Sequence, residues 1–169
     1  MLSFDLRSLD AQAALIDSML ASDDAVWLEG DPRPVSGVRV TGRLSAAGTD
    51  RFYFSGHIEG TVRDECRRCL TEVHVPVADD VHVLFAESGG EDGDDPDVYA
   101  IEARDYHLDL RPAMREQWLL AVPALVVCRE ECKGLCPTCG ADRNLGACAC
   151  APQHDPRWDA LRPLGESAR

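Results

Sequence analysis

The chain has 169 residues, a net charge of -13 and a pI near 4.6. That length allows one ordinary core, or a core with a small metal-stapled appendage, but hardly two full domains. The acidity opposes non-specific attraction to phosphate backbones, and no apolar run approaches the roughly eighteen residues that a membrane span requires.

Residues 1–20 place Asp5 and Arg7 among apolar side chains and offer neither a basic leader nor an unbroken apolar stretch. They do not read as an export signal, so a soluble protein in a reducing, cytoplasmic setting is expected. Ser8 or Asp10 is positioned to cap a short helix running to about Leu20, with Leu15, Ile16, Met19 and Leu20 as its apolar stripe.

From Val38 the period changes to two. Val38, Val40 and Leu44 alternate with Arg39, Thr41 and Arg43, and Phe52, Phe54, Ile58 and Val62 alternate with Tyr53, Ser55, His57 and Thr61. These are expected to be half-buried antiparallel strands joined by a loop over residues 46–50. Gly56 and Gly60 fall on the apolar side, where a bend or bulge would suit strong twist. Two further strands are expected around Val73, Val75 and Val77, then Val81, Val83 and Phe85, completing a β-meander curled toward a barrel.

Residues 87–97 read ESGGEDGDDPD and hold almost nothing apolar, so a solvated loop is expected. Their spacing does not match a calcium-binding loop. A short strand is expected over 98–101. Asp109 and Pro112 then start a helix near 110–122 in which Met114, Trp118, Ala121 and Val122 share a face, and Pro123 ends it. Asp155 and Pro156 look like a second cap, leading into a helical turn with Trp158, Leu161 and Leu164. The expected fold class is α+β: an antiparallel twisted β-meander or partial barrel with packing helices and a C-terminal cysteine-rich zinc-binding segment. In domain terms, residues 1–127 form the mainly antiparallel β domain, and residues 128–169 a zinc-knuckle tail docked on it.

The eight cysteines carry the chemistry. Cys136-Pro137-Thr138-Cys139-Gly140 has the makings of a zinc knuckle: the turn gathers two thiolates, and Gly140 lets backbone amides approach the sulfurs. Cys148 and Cys150 lie two apart, on one side of an extended backbone, and can complete an all-thiolate site. Cys66 and Cys69 follow the long second strand, which suggests a knuckle at a hairpin end; Cys128 and Cys132 are its natural further ligands. Other partitions are open, with His154 as a substitute ligand. One or two structural Zn2+ ions are expected. Arg63, Arg67 and Arg68 beside the first pair, and Lys133 and Arg143 near the tail cluster, would offset thiolate charge or present a local patch for a partner or RNA.

A disulfide framework lacks its secretory context. A thiol redox enzyme or sensor is the alternative from another class, but C-x2-C serves that chemistry at a helix start in a βαβ unit, and here the surroundings are antiparallel strands. A carboxylate-dependent nuclease finds no convergent acidic triad. No phosphate loop, nucleophile elbow or H-E-x-x-H helix appears. Outward-facing His57 and His74, alongside Glu59 and Glu72, are explained by surface pairing.

Glu65-Cys66-Arg67-Arg68-Cys69-Leu70, the run from Cys132 through Lys133-Gly134-Leu135-Cys136-Pro137-Thr138-Cys139 to Gly140, Cys148-Ala149-Cys150 and Asp155-Pro156-Arg157 together resemble the large ribosomal RNA subunit accumulation protein YceD family over nearly the whole chain. Where that family commonly shows Asn-Leu-Asn in the tail loop, this chain has Asp142-Arg143-Asn144, a departure that bears on surface contacts more than on metal ligands. The resemblance implies a bacterial, non-enzymatic factor supporting large-subunit ribosomal RNA accumulation or processing. It also implies a ribosomal protein or large-subunit assembly factor as partner and no small-molecule substrate, while the acidity of the chain makes any RNA contact local or indirect.

Overall fold

Period-two stretches fold as strands because alternation sends one set of side chains to each face of a sheet. The computed structural model describes residues 2–9, 12–88, 97–101, 106–151 and 157. Its elements are β1 (Ser3–Asp5), α1 (Leu6–Leu9), β2 (Ala14–Leu20), β3 (Val38–Ala46), β4 (Arg51–Glu65), β5 (Glu72–Glu87), β6 (Val98–Ile101), β7 (His107–Asp109) and α2 (Arg111–Ala121). β2 to β5 pair antiparallel in succession and β6 adds to β5 in parallel, giving the open order β2-β3-β4-β5-β6, while β1 and β7 form a separate antiparallel pair. The protein is α+β, with a mostly antiparallel sheet and a cysteine-rich C-terminal segment.

Three expectations are corrected. The helix expected up to Leu20 is strand β2, preceded by the four-residue α1: Ile16 and Leu20 are buried, whereas Leu15 and Met19 are 85% and 54% exposed. Pairing with β3 therefore overrides the helical spacing of the four apolar residues. The two strands expected after Val73 are one, β5, whose acidic middle stays in the ladder because Asp79 and Asp80 pair with Ile58 and His57 of β4. No bulge occurs at the strand glycines: the register runs unbroken from Arg51 opposite Ala86 to Glu65 opposite Glu72. Instead, a Cβ on Gly60 would lie 2.9 Å from the Trp118 ring, so the missing side chain is the seat of that indole.

The core lies between the inner face of the sheet and α2. Val38, Val40, Leu44, Phe54 and Ile58 from the sheet and Met114 and Trp118 from the helix are completely buried. Pro112 occupies the first turn of α2, and Asp109 accepts a hydrogen bond from the Arg111 amide at 2.9 Å, just before the helix. Trp118 Nε1 donates to the Pro32 carbonyl at 2.8 Å, and Arg115 grips Asp31 through two hydrogen bonds of 2.7 and 2.8 Å. These contacts tie α2 to the loop before β3. Val122 turns extended, and the chain runs back toward the end of the β4–β5 hairpin. Among the described residues, no helix is long and apolar enough to cross a membrane.

Candidate metal centres

The β4–β5 hairpin ends in the first thiol pair. After Glu65 the chain turns through Cys66 to Cys69, the Leu70 amide bonding the Cys66 carbonyl at 2.8 Å and the Cys66 amide the Thr71 carbonyl at 2.9 Å. Leu70 takes a left-handed φ of 60° to close this turn. The segment leaving α2 docks beside it: the Arg67 amide donates to the Val126 carbonyl at 2.9 Å, and the Leu135 amide to the Arg68 carbonyl at 2.9 Å. Gly134 is needed there, because a Cβ at its φ of 69° would sit 2.7 Å from the Arg68 carbonyl oxygen. The Arg68 guanidinium reaches over to the carbonyls of Glu130 and Cys132 at 3.1 and 3.0 Å. Two segments about sixty residues apart are thus laced together by backbone and arginine.

This lacing gathers Cys66, Cys69, Cys128 and Cys132, and a second group gathers Cys136, Cys139, Cys148 and Cys150; within each group the four sulfurs lie within 4.8 Å of one another. Cys66 and Cys132 sulfurs stand 3.8 Å apart, and Cys69 and Cys128 sulfurs 3.7 Å. A tetrahedral ion with bonds to sulfur of about 2.3 Å requires edges of roughly 3.8 Å, so the first group has the dimensions of a four-thiolate site. In the second, the Gly140 amide donates to the Cys136 carbonyl and the Cys136 amide to the Ala141 carbonyl, both at 2.8 Å, closing a compact turn around Cys136 and Cys139. Gly140 has a φ of 74°, which suits glycine.

Electrostatics divide the thiols within each group. Burial pushes the Cys66 thiol up, but amides of Cys128, Arg68 and Cys69 directed at its sulfur outweigh this and bring it down to about 6. Amides of Cys139 and Thr138 likewise bring Cys136 down to about 6. Burial, followed by the neighbouring sulfurs of Cys132, Cys69 and Cys66, pushes Cys128 up to about 12, and Cys139 leads the causes that push Cys150 up to about 12. Each group therefore combines a sulfur whose surroundings favour the thiolate with one whose neighbours disfavour it. Soft, closely spaced donors with amide support fit a thiophilic metal ion.

The cationic candidates are less uniform. Arg63 faces Glu72 across the hairpin at 3.6 Å, and Arg68 is committed to the lacing. Arg67, Lys133 and Arg143 are exposed; the Arg143 amide bonds the Gly134 carbonyl, which places it near Lys133, while Arg67 lies at the hairpin end. His57 pairs with Asp80 at 2.9 Å and His74 approaches Glu72 at 4.0 Å, both on the surface. His154, the Asp155-Pro156 cap and its helical turn lie outside the described residues, as does most of the acidic stretch, residues 89–96. Sequence reasoning missed Thr71, whose hydroxyl is 3.4 Å from the Cys69 sulfur, and tied the loop of Asn144 to surface contacts more than to metal ligands, whereas the Asn144 amide is 3.5 Å from the Cys132 sulfur. Neither stands at ligand spacing, so pairing of cysteines offered no signal for them.

The family model for "Large ribosomal RNA subunit accumulation protein YceD" matches residues 54–165. The chain is 29% identical over 163 residues to YlbN of Bacillus subtilis (strain 168), covering 95% of this chain and 93% of that one. It is 29% identical over 181 residues to the chloroplastic large ribosomal RNA subunit accumulation protein YCED homolog 1 of Zea mays, covering 89% of this chain and 60% of that one. It is 32% identical over 148 residues to Rv2926c of Mycobacterium tuberculosis (strain ATCC 25618 / H37Rv), covering 85% and 64%. The chain thus spans nearly all of the first relative and under two thirds of the other two. No solved structure matches it.

Proposed function

This chain belongs to the large ribosomal RNA subunit accumulation protein YceD family, and from that premise we propose that it is a non-enzymatic, zinc-binding factor of the bacterial cytoplasm. It supports accumulation or processing of large-subunit ribosomal RNA and acts through a protein partner. The observation that carries this reading beyond the family name is the closure of both cysteine groups. Four protein sulfurs per ion leave no coordination position for a reacting water, which suits structure rather than turnover. Bound zinc would supply a cross-link: in the first group between the hairpin end and the segment after α2, and in the second within the tail. On this reading residues 128–169 form a zinc-dependent tail docked on the sheet domain of residues 1–127.

Charge favours a protein partner. A chain of net charge -13 attracts a basic ribosomal protein or assembly factor more readily than naked RNA. Arg67, Lys133 and Arg143, with Arg63 and Arg68 behind them, are the cationic contact candidates around the centres, and ribosomal RNA is met indirectly.

The test is genetic and chemical together. Removing the gene from its host is expected to lower large-subunit relative to small-subunit ribosomal RNA, with wild type restoring the ratio and the C136S/C139S variant failing to do so. An unchanged ratio on removal would overturn the role. Zinc-free native protein with reactive or disulfide-paired cysteines would replace the structural-metal reading by a redox one.

A further inference from the structure

A side chain from the loop within the second cysteine group reaches a sulfur of the first. Cys132 of the first and Cys136 of the second are separated only by Lys133, Gly134 and Leu135. The loop that joins Cys139 to Cys148 folds back over this short bridge: the Arg143 amide donates to the Gly134 carbonyl at 2.9 Å, and Leu135 and Asp142 form an isolated β-bridge. At its crest Asn144 places Nδ2 3.5 Å from the Cys132 sulfur, while its Oδ1 accepts from the Lys133 amide at 2.8 Å. Asp142 Oδ1 holds the group in that orientation, accepting from the Asn144 amide at 2.8 Å and from Nδ2 at 2.7 Å.

Beyond these hydrogen bonds, apolar packing adds little to the loop. Leu145, its large apolar side chain, is 90% exposed, so no hydrophobic burial seats it. Its two ends are the Cys136–Cys139 turn and the Cys148–Cys150 pair, all four ligands of the second group. Asn144 is therefore positioned by the 133–135 bridge and by a loop that starts and ends in the second group, yet its donor serves a sulfur of the first. A donor on a four-thiolate centre offsets part of its formal negative charge and fixes the ligand, which is how outer partners tune metal affinity.

We propose that Asn144 couples the two centres: closure of the second group by its ion seats the Asn144 carboxamide on Cys132, so each centre holds metal more tightly when the other is filled. Linkage makes the effect reciprocal. The role needs donor and acceptor on one short side chain, since the same carboxamide bonds sulfur, the Lys133 amide and Asp142. An aspartate there keeps the acceptor, loses the donor and adds charge beside a thiolate.

The inference rests on the structural-metal reading, and one experiment separates their failures: zinc release from the full chain into excess chromophoric chelator. Wild type must first hold zinc in both groups; if it holds none, the metal reading itself falls. The release phase missing from C148S/C150S belongs to the second group and the remaining phase to the first. N144A is expected to keep its full zinc content and its far-ultraviolet circular dichroism while releasing first-group zinc about 10-fold faster, with N144D faster still. C148S/C150S should accelerate the same phase, and adding N144A to it should change nothing further. Release from N144A that matches wild type in every phase overturns the coupling, even where C148S/C150S does not fold. So does a full additional acceleration by N144A in the C148S/C150S background, which would mean that Asn144 serves Cys132 without reference to the second centre.

Discussion

Between β2 and α2 the buried side chains are Val38, Val40, Leu44, Phe54, Ile58, Met114, Trp118 and their neighbours, whereas among the described residues after Cys128 the buried ones are Cys132, Gly134 and Cys136. The first region orders itself by removing apolar surface from water and by pairing strands through fifteen registered positions of β4 and β5. Among residues 128–151 the second has no strand or α-helix, one isolated bridge between Leu135 and Asp142, and little apolar surface to bury. On the structural-metal reading, thiolates stand where a core would otherwise be: a cross-link at one point would replace burial over many and offset the ordering entropy of a loop-rich segment.

Stripping the metal is the strongest way to break this contrast. Chelation at neutral pH is expected to raise amide exchange over residues 128–150 toward that of an unfolded chain while the sheet, residues 14–121, keeps its protection. Hydrogen exchange followed by mass spectrometry reads both regions at once, and equal loss in both would show that the sheet depends on the ions. The converse attack is Trp118→Ala. Trp118 is completely buried against Gly60 and hydrogen-bonded to Pro32, and its truncation should cost about 3–5 kcal/mol in chemical denaturation. The second cysteine group, remote from α2 in the ladder of contacts, should keep its metal.

A gentler probe of the same packing is Gly60→Ala. Its Cβ would lie 2.9 Å from the Trp118 ring and 3.0 Å from the Gly37 carbonyl oxygen, an overpacking expected to cost roughly 1–3 kcal/mol by denaturant titration. The smallest effect is expected from Asp31→Asn. The Arg115 guanidinium holds the Asp31 carboxyl below the usual aspartate range, so the pair stabilises the fold above the unfolded aspartate value of about 3.9 and loses that contribution as the pH falls through the lower folded value. The variant should melt a few degrees lower at neutral pH and lack this part of the acid-dependent loss. Coincident melting curves for wild type and variant at neutral pH would remove the ion pair from the account of how α2 is held.

Much of the sheet is legible in the sequence where burial has a single period. β3 and β4 alternate cleanly, β6 is bounded by Val98 and Ile101, and α2 carries Met114 and Trp118 four residues apart on its buried side. Legibility fails at β2 because Leu15, Ile16, Met19 and Leu20 satisfy a helical stripe as well as a strand face; only β3, lying alongside, selects Ile16 and Leu20 for burial and leaves the other two in water. It fails again inside β5, where Asp79 and Asp80 look like a turn until β4 supplies an unbroken partner. The pair β1 and β7 was invisible, being three residues each and more than a hundred positions apart.

By itself the sequence determined the thiol pairs, the turns that aim them and the two-residue period of the sheet, because each of these is encoded within a few neighbouring residues. Which pairs share a centre was decided by the tertiary structure. Cys66 and Cys132 lie sixty-six positions apart, and they meet because a long registered hairpin carries one knuckle to its far end while α2, seated on the sheet through the Trp118 ring and tied to the loop before β3 through Arg115, returns the chain to the same place. Asn144, by contrast, meets a sulfur only twelve positions away, inside the tail, where the Arg143 amide bonds the Gly134 carbonyl and folds the loop back.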